Sequence, residues 1–77
     1  MSATQWQVKT NSYNSAGEPE TKTHTENMTM PQACNYGSKV FDNNPLAAQL
    51  HISTPPDKPQ VTVREKSGKI IIQLTEI

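Results

Sequence analysis

The chain has 77 residues, 32% of them hydrophobic, and its seven basic and seven acidic side chains give a formal net charge of zero. This hydrophobic fraction is well below the roughly 45–50% of an ordinary globular domain, so we expect a single small domain with a thin core over residues 1–77. Cys34 is the only cysteine, which excludes an intrachain disulfide, and the neutral charge argues against binding to nucleic acid.

Residues 1–30 predict a polar N-terminal arm made of a strand or a hairpin. In its first half, Trp6 and Val8 alternate with polar neighbours, which is typical of a strand. Residues 14–17 predict a turn, and the threonines at alternate positions of residues 20–30 favour a second strand. Because both faces of this hairpin are largely polar, we expect an arm or an edge and not part of the core. The threonine face fits a solvated edge strand or a strand that joins another protein's sheet.

Residues 31–59 predict an irregular connection with a proline-rich linker at its end. An Asn-Pro pair inside it is a favourable helix start, so one short helix is expected at about 44–50. A short strand over residues 49–53 is the alternative that the same stretch allows. Three prolines in residues 54–59 predict a stiff, extended linker.

Residues 60–77 carry the clearest pattern, which predicts a C-terminal β-hairpin. A turn centred on Ser67 and Gly68 aligns the two strands so that their aliphatic residues fall on one face. The predicted cross-strand pairs are Val61–Leu74, Thr62–Gln73, Val63–Ile72 and Arg64–Ile71. The predicted fold class is therefore mainly β: a small antiparallel sheet or sandwich built from two hairpins, with at most one short helix and extended loops.

The aliphatic face of this hairpin has to be covered, because an isolated hairpin is marginal in water. The cover comes either from another chain or from the same chain, whose candidates are Trp6, Val8, Phe41, Leu46 and Leu50. The residues predicted to form this core or interface are Trp6, Val8, Val61, Val63, Ile70, Ile72 and Leu74. Trp6 fits two interpretations equally, a cap on the chain's own core or an anchor in an interface.

No group of residues in the sequence has the spacing of a catalytic site. His24, His51 and Cys34 are far apart, and none has a neighbour that completes a metal site or a nucleophile–base pair. We therefore expect no catalytic residue, no cofactor-binding residue and no metal ligand. The chain is predicted not to be an enzyme and to need no cofactor.

The scarcity of apolar residues suggests a function in assembly. We expect a non-enzymatic structural protein that docks onto a larger repetitive complex, such as a viral capsid decoration or cement protein. A repetitive surface supplies apolar area that the chain lacks, and many copies make weak contacts sufficient. The alternative is a small protein inhibitor or adaptor that binds a single cellular protein, of the phage counter-defence type.

The expected partners are a protein or further copies of the chain in a homo-oligomer. We expect no nucleic acid, no membrane and no small-molecule substrate. The N-terminal residues lack the apolar core of a signal peptide, and no apolar run approaches the ~20 residues of a membrane span. The expected location is the cytoplasm, or a virion assembled there.

Overall fold

The computed structural model describes residues 3–77 and consists of one five-stranded antiparallel sheet and one helix. The elements are β1 (Thr4–Tyr13), β2 (Pro19–Met28), α1 (Met30–Asn43), β3 (Ala47–Ser53), β4 (Gln60–Glu65) and β5 (Ile70–Glu76). The spatial order is β2-β1-β5-β4-β3, so β2 and β3 form the two edges of the sheet. The mainly β fold with a single short helix is confirmed.

The N-terminal hairpin forms along its whole length, with β1 and β2 in register from Thr4 opposite Met28 to the turn. In that turn the Asn14 side chain accepts hydrogen bonds from two backbone N–H groups, at 2.9 and 3.0 Å. Strand β1 also pairs with β5, and its Trp6 and Val8 are fully buried. The expectation that this hairpin stays outside the core is therefore wrong for β1. It holds for β2, where only Met28 is buried.

The C-terminal hairpin of β4 and β5 has the predicted register except at its turn end. The observed pairs are Val61–Leu74, Thr62–Gln73, Val63–Ile72 and Arg64–Ile70. The predicted Arg64–Ile71 pair is wrong, because the register shifts by one residue after Val63 in a β-bulge. As a result Ile71 is only 7% exposed, whereas Ile70 is half-buried.

The helix begins at Met30 and not at the Asn-Pro pair, so the prediction of a helix at 44–50 is wrong. Thr29 caps it: the Thr29 hydroxyl accepts from the Gln32 N–H at 3.3 Å, and the Gln32 side chain accepts from the Thr29 N–H at 2.8 Å. This capping box satisfies two backbone donors at the helix start, where a proline is also tolerated.

The predicted irregular connection over 31–59 is consequently wrong for most of its length. Its first part is α1, and Ala47–Ser53 form β3, in agreement with the strand that was the alternative interpretation. Only residues 54–59 remain outside helix and strand between β3 and β4. Asn44 of the Asn-Pro pair, which was expected to start a helix, is instead the C-cap of α1.

Helix α1 covers one face of the sheet and closes the core. The buried apolar residues are Trp6, Val8, Met28, Ala33, Val61, Val63, Ile71, Ile72 and Leu74. The half-buried residues packed against them are Met30, Cys34, Tyr36, Val40, Phe41, Ala47 and Leu50. The aliphatic face of the C-terminal hairpin is therefore covered by the same chain. Leu46, a candidate for that cover, is 65% exposed and takes no part.

At Gly37 the backbone of the helix lies close against the sheet, so we expect Gly37→Ala to lower the stability by about 1 kcal/mol. A Cβ at this position collides with Val61 Cγ1 and lies 3.4 Å from Leu50 Cδ1. Overpacking costs about 1–3 kcal/mol, more than the roughly 1 kcal/mol that alanine gains over glycine in a helix. Asn35→Ala, at an exposed position of α1, is the control and should not destabilise. Denaturant unfolding measures both, and a stabilised Gly37→Ala variant would contradict this packing.

Candidate interaction surface: the free edge of strand β2

Strand β2 is an open edge of the sheet. Its residues 21–27 are all exposed, although they form a continuous ladder with β1. Helix α1 leaves the end of β2 and runs across the sheet, where it packs mainly on β3 and β4. The outer side of β2 is therefore covered by no other described part of the chain.

The hydrogen-bond pattern shows which backbone groups of β2 point outward. The Asn14 N–H donates to the Glu18 carbonyl at 3.0 Å, one step beyond the last ladder pair at Pro19. In an antiparallel pair, residues alternate between pairs that exchange hydrogen bonds and pairs that do not. The even-numbered residues of β2 therefore bond to β1, and the odd-numbered residues point away from it. The outward-facing residues are Thr21, Thr23, Thr25 and Asn27.

Pro19 agrees with this assignment. It is also odd-numbered and lies opposite Tyr13, so the N–H that proline lacks is one that β1 does not need. Four consecutive outward positions, from Thr21 to Asn27, thus keep an N–H and a C=O available at the edge. Such a row of free backbone groups is a template for pairing with another strand.

The even-numbered side chains of β2 project from the helix side of the sheet and include two carboxylates, one ammonium group and one imidazole. Lys22 lies 3.9 Å from Glu20, and His24 lies 3.3 Å from Glu26. These contacts are exposed, with the Lys22 side chain 74% accessible, so each contributes little to stability. The charges remain available to an incoming chain.

An open groove of about 910 Å³ lies between the end of β2 and helix α1. Strand β2 contributes Glu26 and Asn27 to its lining, while α1 contributes mainly amide and other polar side chains. Those of α1 include Gln32, Asn35, Tyr36 and Lys39. The groove therefore offers one carboxylate, one ammonium and several amides, which both donate and accept hydrogen bonds.

The sheet face opposite α1 is polar and, among the described strand residues, carries no carboxylate. Alternation along the paired strands places Lys9, Arg64 and His51 on this face. The acidic residues of the strands all fall on the helix side: Glu20, Glu26, Glu65 and Glu76. The threonines of β2 whose backbone groups point outward have their side chains on this same open face.

The residues predicted as core or interface lie inside the molecule. Trp6, Val8, Val61, Val63, Ile72 and Leu74 are buried, and Ile70 is half-buried at the bulge. The Trp6 Nε1–H donates to the Met28 carbonyl at 3.1 Å, in a fully buried position. Trp6 therefore belongs to the chain's own core, and its interpretation as an interface anchor is wrong.

The other residues considered for chemistry are far from one another in the fold. His24 lies on edge strand β2 and His51 on the opposite edge strand β3, while Cys34 is half-buried on α1. Residues 3–77 contain no group of three or more histidine, cysteine or acidic side chains placed to hold a metal ion. In the same range, no helix has the length and apolar character that a membrane span requires.

The free edge was indicated in the sequence by the alternating threonines of residues 20–30. The groove was missed because the helix that forms one of its walls was missed. No protein-family model, curated protein or solved structure matches the chain. The interpretation of this surface therefore depends on its own geometry.

Amide hydrogen exchange in dilute protein tests the orientation of β2. We expect the N–H groups of Lys22 and His24, which bond to β1, to exchange at least about tenfold more slowly than those of Thr23 and Thr25. NMR resolves the individual amides. Slower exchange at the two threonines than at their even-numbered neighbours would contradict the assigned hydrogen-bond pattern.

Proposed function

We propose that the chain is a non-catalytic docking protein that binds its partner by strand addition at the edge of β2. The observation that carries this proposal is the row of free backbone groups from Thr21 to Asn27, beside an open groove. In strand addition, main-chain hydrogen bonds provide affinity and the alternate side chains provide specificity. Strand β2 offers both. Its free backbone groups can bond to an added strand, and the side chains of that strand would contact the polar sheet face on one side and the groove on the other.

The closed core changes the physical reason for docking. The sequence suggested that a partner has to supply missing apolar surface, but the chain covers its aliphatic face with α1. A partner is therefore not needed to complete the core. Of the two unpaired edges of the sheet, β2 is the longer and more regular, because β3 has only seven residues and its register with β4 shifts between Ala47 and Gln49. The outward backbone groups of β2 bond only to water until another strand arrives.

The groove favours an extended partner segment that carries both polar and apolar side chains. A strand added beside β2 directs every second side chain to the helix side, where Glu26 and Lys39 offer opposite charges. The amides of Gln32 and Asn35 bind donors and acceptors alike. Tyr36 and neighbouring apolar side chains also line the groove, so apolar contact is part of this recognition.

In this proposal the partner is a larger repetitive assembly, of which a viral capsid is one example. A single strand addition gives modest affinity, and repeated copies on one surface raise the overall strength of attachment without new contacts. The separation of His24, His51 and Cys34 supports a role without chemistry. Whether the assembly is a virion stays a prediction.

Thr25→Pro tests strand addition, because it removes an outward N–H without removing a bond to β1. We expect the variant to fold. From the native extract, the tagged variant should retain at least about tenfold less partner protein than the tagged wild-type chain does. Thr25→Ala keeps the N–H at the same position and should retain the partner. Quantitative mass spectrometry of the co-purified protein measures all three chains.

Retention of the partner by the proline variant would contradict docking at this edge. Loss in both variants would assign binding to the threonine side chain and contradict pairing through the backbone. The mass of the captured complex distinguishes the two classes of partner. A particle with many copies of the chain fits the docking protein, whereas a one-to-one complex favours the inhibitor or adaptor.

A further inference from the structure

We infer that one partner of the β2 edge is a second copy of this chain, paired antiparallel with His24 opposite His24 of the other copy. The two five-stranded sheets then form one continuous sheet. This inference rests on the proposed function, because it assigns an occupant to the same edge. Two observations support it: the odd-numbered residues of β2 have the outward-pointing backbone groups, and the charged side chains of β2 follow one another in a particular order.

Symmetry limits the ways in which two β2 edges can meet. A two-fold axis that passes through the contact perpendicular to the sheet makes the two β2 strands antiparallel. Outward-facing groups can bond only to outward-facing groups, so odd-numbered residues of one copy have to lie opposite odd-numbered residues of the other. The registers that remain are centred on residues near the middle of β2.

Hydrogen bonding favours the register centred on His24. It places Thr23 opposite Thr25 and Thr21 opposite Asn27 of the second copy, so every outward residue of both strands is used. A register centred on Thr23 places Pro19, which has no N–H, opposite Asn27. A register centred on Thr25 displaces Thr21 beyond the end of the partner strand.

The charges are also complementary in this register, and they exclude two of the others. With His24 at the centre, Lys22 of each copy lies opposite Glu26 of the other, at positions where antiparallel side chains approach most closely. The register centred on Thr23 places Glu20 opposite Glu26, and a register centred on Lys22 places the two lysines opposite each other. Both bring like charges together, which destabilises cross-strand pairs.

The open groove gives the second strand room on the helix side. In the His24-centred register, Lys22 of the second copy faces Glu26, which lines the groove, and its Glu20 lies opposite Met28 at the same end. Lys39 of α1 provides a positive charge in that groove for the incoming carboxylate. The open groove therefore leaves space on the helix side for side chains of the second strand, and pairing joins the carboxylate-free faces of the two copies.

A charge-reversal cycle on the full-length chain tests the inference. Sedimentation equilibrium of the wild type should show a concentration-dependent monomer–dimer equilibrium. Lys22→Glu and Glu26→Lys each create two like-charge contacts, so each should raise the dimer Kd at least about tenfold. The double variant K22E/E26K restores opposite charges and should return to within about threefold of the wild type. All four chains should have the same far-ultraviolet circular dichroism, because both side chains are exposed.

Amide exchange then locates the contact. The N–H groups of Thr23 and Thr25 should become protected as the protein concentration rises, while Gln7 on the open face serves as an internal reference. A wild type that stays monomeric at every accessible concentration overturns the inference, as does a dimer that K22E leaves unchanged or a double variant that does not recover. One combination of results separates the two proposals. If the wild type is monomeric but binds a different partner, and Thr25→Pro abolishes that binding, self-pairing is overturned and the proposed function stands.

Discussion

The buried indole of Trp6 is the contact on which the rest of the structure depends. It is the largest fully buried side chain, and its Nε1–H donates to the Met28 carbonyl at 3.1 Å. That bond joins β1 to the end of β2, one residue before the Thr29 cap of α1. A single side chain thus fixes the hairpin, directs the start of the helix and contributes the largest apolar area to a core with few other members.

This economy explains how a chain with so few apolar residues closes its own core. Strand β1 places Trp6 and Val8 in the sheet beside Leu74 of β5, and α1 packs on the core with both small and large side chains. Ala33 and Gly37 let the helix approach the sheet closely. The outer strand β2 is held by backbone pairing and Met28, which leaves its other residues free for contacts outside the molecule.

How much could be predicted from the sequence follows from how local each signal is. The C-terminal hairpin was predictable because the turn at Gly68 and the alternation of Val61 and Val63 indicate the same register. The bulge was not, because Ile70 and Ile71 are equally aliphatic and only packing distinguishes them. The free edge was visible in the alternating threonines, whereas the groove depends on the placement of a helix.

The helix itself was missed for identifiable reasons. Its sequence has few apolar residues and an internal glycine, and Pro31 indicates a break when it is considered alone. The pair that mattered was Thr29 with Gln32, three residues apart, which has the spacing of a capping box and makes a proline in the first turn favourable. The Asn-Pro pair that suggested a later helix start marks the end of α1 instead.

The central claim is that the chain folds by itself around Trp6, so that the β2 edge is available for binding and is not needed for stability. Trp6 is the only tryptophan, and its fluorescence therefore reports on this core directly. On dilution to the lowest measurable concentration, we expect its emission to stay blue-shifted, followed by a single cooperative transition in denaturant. A shift to the emission of solvent-exposed tryptophan on dilution alone would contradict the account, because it would mean that partner chains hold the core together.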